Sequence, residues 1–366
     1  MMKKTGCAFL VVILVIVLWL SGCQGFFPGF STTYEAYPTK IQYDISYGYQ
    51  VNSSGAGRYE ITYLCDTPKV QLGSATYSIL FNQDYKMQTR ANNSFVLWNI
   101  SGDEETKYEL GLSTHVEAES FLVSDLNGKA ATTREQLPFI YPSIVRKYTR
   151  LQANETTAFI DPKNQQITAI AREVQTTAKT NNTFLLAKAL FAWLKTNVQY
   201  QTHPGDEGVQ PAALTLQRKS GDCDDLSFLY ISLCRSLGIP ARFVRGYLLT
   251  AYDNGTAVAI AHAWAEVFVG GSLGRNGWIP VECACCITSI QTDIEQNFGV
   301  EDAFHLRVFT DDGSNESLTL SLSGISYVAY GITRHVQLQA FAEVRNYQTL
   351  ESQKLVVNSD NTRHYE

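Results

Sequence analysis

The sequence predicts an α+β protein in which an all-β, sandwich-like domain precedes a mixed domain of helices and strands. Three observations carry this. Apolar side chains alternate at every second position between about residues 34 and 135, the period of a half-buried strand. Beyond about residue 136 the spacing changes to three and four residues, the period of an amphipathic helix. Strand-like runs then return from Arg242 onward.

The chain opens on a targeting segment, residues 1–23. Lys3 and Lys4 precede an apolar run from Gly6 to Leu20, and Leu20-Ser21-Gly22-Cys23 follows. That tetrapeptide resembles a prokaryotic lipobox, whose cysteine is lipidated and becomes the first mature residue. The apolar run of about 15 residues is short for a bilayer span, which needs roughly 20. An uncleaved anchor, extended by Phe26 and Phe27, is the alternative. Both place the chain at the outer face of the cytoplasmic membrane. A short Gly/Pro/Ser tether, residues 24–33, follows.

Composition agrees with an extracytoplasmic globular protein. Seven of 18 asparagines lie in N-x-[ST] sequons (Asn52, Asn92, Asn99, Asn154, Asn181, Asn254 and Asn315), each expected on an exposed loop if glycosylated. Sequons together with a lipobox point to an archaeal cell surface. A net charge of −6 argues against nucleic acid as a partner. Of eight cysteines, Cys65, Cys234, Cys283, Cys285 and Cys286 remain once Cys7, Cys23 and Cys223 are set aside. An odd remainder does not make a disulfide framework.

In the first domain, residues 34–135, Ile41–Tyr47 and Tyr59–Tyr63 alternate cleanly, and Gly55-Ala56-Gly57 and Asn92-Asn93-Ser94 mark turns. This domain reads as a spacer or binding module. In the second, residues 136–310, Gln165–Ala178 and Asn182–Asn197 have helical spacing, with Asn182 or Thr183 as N-cap. A polar loop, Thr202–Gln210, leads to a third helix. There Leu226, Leu229, Tyr230, Leu233 and Leu237 share a face, and Gly238 and Pro240 stop it. Strand-like segments follow at Arg242–Leu249, Ala261–Val269 and Trp278–Cys283. The C-terminal segment, residues 311–366, carries β-like runs at Leu318–Leu322 and Val336–Phe341 and ends in a polar tail. Asp311–Asn315 reads as a hairpin turn, since a calcium loop would need a bidentate Glu downstream.

The third helix opens on Gly221-Asp222-Cys223. A helix N-terminus presents unpaired N–H groups and partial positive charge, which stabilise a thiolate and can hold an oxyanion. Asp222 is the expected cap. Asp224 and Asp225 suit the helix dipole but oppose a thiolate, so the site must lean on a cationic partner. His262 supplies it. In Ala261–Val267 a two-residue period sends His262, Trp264 and Glu266 to one face. Glu266 is too distant to orient His262, because four strand residues span about 13 Å. Glu282, on the next strand, is placed to face the imidazole and fix its tautomer. The same alternation turns Cys283 into the core.

These residues resemble the transglutaminase-like superfamily, whose core is papain-like. The resemblance runs from about Tyr141 to His305 and rests on Gly221–Ser227, Leu237–Tyr247, His262–Val267 and Gly277–Glu282, in the family's order and spacing. It implies a Cys-bearing helix packed on an antiparallel sheet, with Cys223 as nucleophile, His262 as general base and acid, and Glu282 as third member. The family more often has Asp at that last position. The expected function is a cell-surface thiol enzyme acting on peptide or protein amides through a thioester, with hydrolysis favoured over cross-linking. The alternative is an inactive surface module for binding or envelope structure. No cofactor is expected. A Cys/His/Glu trio has zinc-ligand chemistry, but no fourth ligand or paired CxxC accompanies it, so no metal is expected either. Trp264 and Trp278 read as packing and Tyr252 likewise, while His203 and His305 read as surface or packing histidines.

Overall fold

The computed structural model describes residues 31–202, 208–284, 289–322 and 324–366. The leader with Cys7 and Cys23, the tether up to residue 30, His203, Cys285 and Cys286 lie outside the described residues. Among the described residues, no helix is long and apolar enough to cross a membrane.

In chain order the main elements are β1 (Tyr37–Ser54), β2 (Arg58–Asp66), β3 (Gly73–Ile79), β4 (Tyr85–Arg90), β5 (Asn93–Gly102) and β6 (Thr106–Glu119), then helices α1 (Leu137–Ile140), α2 (Pro142–Tyr148), α3 (Gln165–Ala178), α4 (Thr183–Asn197), α5 (Ala212–Arg218) and α6 (Cys223–Ser236). Strands β7 (Ala241–Ala251), β8 (Ala257–Phe268) and β9 (Trp278–Val281) come next, followed by α7 (Ile290–Asn297), β10 (His305–Thr310), α8 (Asn315–Leu322), β11 (Ile325–Tyr330) and β12 (His335–Gln353). The mixed, antiparallel α+β architecture is the one the periodicity predicts.

Two four-stranded sheets, in the orders β11-β2-β5-β4 and β12-β1-β6-β3, form the β-rich part. Alternate residues of β1 (Ile41, Tyr43, Ile45, Tyr47) and of β2 (Tyr59, Ile61, Tyr63, Cys65) are buried in one cluster. The C-terminal strands complete both sheets: β11 pairs with β2, and β12 runs along β1 from His335 opposite Ser54 to Gln353 opposite Tyr37. All seven sequon asparagines are exposed.

The second part holds the sheet β9-β8-β7-β10, antiparallel throughout, with α6 packed among α3, α4 and α5 against it. Helix α6 is buried along nearly its whole length, and Leu226, Leu229, Tyr230 and Leu233 join a core with Ala263, Ala265 and Val267 of β8. Asn182 caps α4, accepting from the Leu185 N–H at 3.0 Å. Leu306, Val308 and Phe309 of β10 belong to the core of the β-rich part, so the two parts share packed surface.

Three C-terminal expectations change. Leu318–Leu322 is helical, because Ser314 sits where an N-cap belongs and its Oγ accepts the Ser317 N–H at 3.1 Å. Asp311–Asn315 therefore turns a strand into a helix and is not a hairpin. The polar tail is folded: Leu355–Val357 pairs with both Arg363–Tyr365 and Thr32–Thr33. Arg363, 1% exposed, donates to the carbonyls of Val123 at 2.8 Å and Phe298 at 2.6 Å.

Candidate active site

Cys223 is the first residue of α6, as its sequence context predicts, and Asp222 takes the N-cap position in an extended conformation. The Asp222 N–H is donated to the Asp225 carboxylate at 3.2 Å, the returning half of a capping box. That buried carboxylate also accepts from the Gln210 N–H at 2.7 Å and from its side-chain amide at 2.6 Å, tying the preceding loop to the helix. Only glycine fits at 221, where an added Cβ would stand 2.6 Å from the Asp225 Cβ.

The thiol meets the sheet at β8, where the Ala263 backbone N–H faces the Cys223 sulfur and favours its charged form. Burial raises the Cys223 thiol well above its ordinary value, Asp224 and Asp222 raise it further, and the Ala263 N–H only partly offsets them. The helix N-terminus that favours a thiolate is therefore opposed at this sulfur. Desolvation and the flanking carboxylates outweigh the helix dipole here. Asp224 is itself pushed up to about 9, by burial and by its contact with Asp222.

His262 is 6% exposed, and its Nε2 lies 2.7 Å from Glu282 Oε2. Strand β9 ends at Val281, opposite Ala265, so Glu282 leaves the ladder beside the histidine. Gly246 pairs with His262 on the other side, and a side chain there would strike the Leu306 carbonyl of β10 at 1.8 Å. The sheet is thus drawn tight beside the imidazole. Glu266 does not orient His262; it binds Arg242 at 2.6 Å and Arg307 at 2.7 Å. Burial alone would raise Glu266, but these two guanidinium groups hold it down at about 2.

Glu282 has a second partner that the sequence did not reveal. His305 Nε2 lies 3.1 Å from the same Oε2, and His305 Nδ1 lies 2.6 Å from Asp302 Oδ1. Burial by itself would raise the Glu282 pKa. The two imidazoles outweigh it and hold that carboxyl well below the usual range. Burial would likewise lower His305, yet Asp302 and Glu282 hold it well above the ordinary histidine value. His305 is 7% exposed, so the packing reading locates it but misses the contact it makes. The Asp302-x-x-His305 spacing beside the β10 start was the only available signal.

Trp264 packs against both histidines, its ring 6.0 Å from that of His262 and 4.9 Å from that of His305, and donates to Glu301 at 3.1 Å. Trp278 is buried under the Arg242 guanidinium. Both are packing residues, whereas Tyr252 is exposed. Cys234 and Cys283 are fully buried, as expected of core thiols. A cavity of about 320 Å³ opens onto His262, Glu282, Asp302 and His305, with Leu248 and Ile260 in its wall. Among the described residues, two groups have metal-ligand geometry: His262, Glu282 and His305, and separately Asp222, Cys223 and Asp224.

Comparison with known proteins bears on this site. Residues 168–283, which include all three predicted site residues, match the model of the transglutaminase-like superfamily, so the chain carries a transglutaminase-like domain. An uncharacterised protein of Mycobacterium leprae is 31% identical over 114 residues, 30% of this chain and 39% of that protein. Uncharacterised protein YebA of Bacillus subtilis is 29% identical over 157 residues, 38% of this chain and 21% of that protein. The chain thus spans well under half the length of either relative. Among solved structures, a Cytophaga hutchinsonii protein provisionally described as a cysteine protease has a TM-score of 0.48 at 14% identity, covering 92% of this chain and 100% of its own. The periplasmic domain of TgpA from Pseudomonas aeruginosa has a TM-score of 0.32 at 15% identity, covering 64% of this chain and 86% of its own.

Proposed function

We propose that this transglutaminase-like domain is a thiol acyl-transfer enzyme that hydrolyses peptide or protein amides, with Cys223, His262 and Glu282 as its triad. The observation that carries this reading is the buried 2.7 Å contact between His262 Nε2 and Glu282 Oε2, on the strand whose Ala263 N–H meets the Cys223 sulfur. With Nε2 engaged, Nδ1 is the nitrogen left to exchange a proton with the thiol.

Cys223 attacks the amide carbonyl as its proton passes to His262, and the S–C bond forms as the C=O opens. Because the resting thiol is held protonated, proton transfer accompanies attack and no thiolate is stored. Glu282 stabilises the resulting imidazolium, which returns the proton to the departing amine. A thioester remains. Water, deprotonated by His262, attacks it, and the carboxylic acid and thiol are released. A lysine amine in place of water would give a cross-link.

The same raised thiol supports a second reading, an inactive surface module, since a protonated and acid-flanked sulfur is a poor nucleophile. Incubating the chain with a peptide library and with casein separates the two. Amide cleavage that disappears in Cys223→Ala and in His262→Ala supports the enzyme. Cleavage persisting in Cys223→Ala, or none in the parent, sinks it. The leader motif further suggests tethering at the outer membrane face, through lipid on Cys23 or through the apolar run. Mass spectrometry of the mature N-terminus distinguishes a diacylglyceryl-modified Cys23 from an intact leader.

A further inference from the structure

We propose that His262, Glu282 and His305 form a binding site for a divalent transition-metal ion, with zinc as the ion that this donor set favours. Two imidazoles and one carboxylate are the protein ligands of a familiar open zinc centre, with water completing the shell. The donor atoms already converge. Glu282 Oε2 stands 2.7 Å from His262 Nε2 and 3.1 Å from His305 Nε2, and all three lie within 4.8 Å of one another. Around a tetrahedral zinc, with bonds of about 2.0–2.2 Å, ligand atoms sit roughly 3.3 Å apart. Against that spacing, His262 Nε2 stands about 0.6 Å too close to Glu282 Oε2 and His305 Nε2 about 0.2 Å too close.

Two further features suit a metal. Asp302 Oδ1, 2.6 Å from His305 Nδ1, supplies the carboxylate that orients and strengthens a metal-bound histidine. The cavity of about 320 Å³ beside the trio gives space for a water ligand. Among the described residues that line it there is no Lys or Arg, and His305, which Asp302 and Glu282 hold above its ordinary value, gives up its proton as the ion binds. The thiol-centred group, Asp222, Cys223 and Asp224, is the competing location.

The consequence for activity rests on the reading above. An imidazole bound to metal through Nε2 carries its one proton on Nδ1 and keeps no lone pair there. It cannot accept the proton of Cys223, so an occupied site is an inhibited one.

The binding test uses the full chain as Cys223→Ala, which makes it independent of whether the thiol is catalytic. Zinc chloride titrated into this variant by calorimetry should bind one ion per chain. His305→Ala in the same background should weaken that binding at least tenfold, and Asp302→Asn, which keeps all three ligands, by about 10- to 100-fold. Cobalt(II) bound to the chain with its thiol intact should show d–d absorption without a thiolate charge-transfer band. The proposal is overturned if Cys223→Ala binds no zinc stoichiometrically, or if affinity survives both substitutions in variants whose thermal melts match the parent. It is equally overturned if the cobalt spectrum shows thiolate ligation that vanishes with Cys223.

Discussion

Glu282 Oε2 lies 2.7 Å from His262 Nε2, within a pocket that leaves the histidine 6% exposed. The additional methylene of Glu over Asp does not carry the carboxylate past the imidazole. It lets one oxygen serve two histidines, because His305 approaches the same atom from β10. The proposed third member of the triad is therefore part of a longer chain of contacts, Asp302–His305–Glu282–His262.

Glu282→Gln tests that arrangement. The amide removes the charge that supports an imidazolium and permits the wrong tautomer. A triad that loses its orienting carboxylate this way falls by about 10⁴-fold in kcat. We expect a loss on the order of 10³- to 10⁴-fold on whichever amide substrate the Cys223 experiment identifies, with KM changed little. Glu282→Asp keeps the charge but shortens the reach and should fall between. A kcat within threefold of the parent in Glu282→Gln would remove Glu282 from the mechanism.

The acid pair at the helix start predicts an unusual alkylation profile. Burial and Asp222 push Asp224 up to about 9, so its charge, and its opposition to a Cys223 thiolate, develop mainly as pH rises toward that value. Asp224→Asn should therefore leave iodoacetamide alkylation of Cys223 close to the parent rate at pH 7. Above about pH 9, where the parent gains the second charge and the variant does not, the variant should react several-fold faster. Equal rates at pH 10, read by mass spectrometry of the Cys223 peptide, would show that Asp224 does not oppose the Cys223 thiolate.

The elements that were legible in the sequence are those whose burial is one-sided. Helix α3 falls on Gln165–Ala178 as its spacing predicts, and α4 starts one residue after Asn182, the residue that caps it. Cys223 and His262 could be found because a helix start and a two-residue alternation are local patterns. Glu282 needed a neighbouring strand, yet its distance along the chain was still readable. What was hidden is long-range. Nothing in Leu318–Leu322 distinguishes a short amphipathic helix from a strand, and no local pattern tells that β12 returns to pair with β1 across some 300 residues. His305 reaches Glu282 only because β10 pairs with β7, which no spacing rule reveals. The desolvation that pushes the Cys223 thiol up was hidden for a related reason: a helix N-terminus is visible in sequence, whereas the depth of its burial is not.

Gly221→Ala asks whether the helix start is as tightly held as it looks. The new methyl would stand 2.6 Å from the Asp225 Cβ and 2.9 Å from Asp225 Oδ2. To relieve the clash, Asp225 must give up its bonds to the Asp222 N–H or to Gln210. Leaving such buried groups unpaired costs about 1–3 kcal/mol each. We expect a thermal midpoint lowered by several degrees and a thiol displaced from Ala263, with hydrolysis reduced at least tenfold. Full activity with an unchanged melt would mean that Asp225 does not fix the nucleophile.

Glu266 offers a test of the buried charge network that leaves the triad in place. Its carboxylate binds Arg242 at 2.6 Å and Arg307 at 2.7 Å while 1% exposed. Its folded pKa is depressed from 4.5 to about 2. A depressed carboxylate stabilises the fold fully above its unfolded value, and that stability is lost as pH falls through the folded value. The window for Glu266 thus runs from about pH 5 down to about pH 2. The shift corresponds to about 3 kcal/mol. Glu266→Gln should melt lower than the parent at pH 7, because Arg242 and Arg307 lose a counter-charge. Between pH 5 and pH 2 its stability should fall less steeply, so that the two melting curves converge toward pH 2. Parallel curves across that range would show that Glu266 titrates normally and that the arginines are held by Glu301 and packing alone.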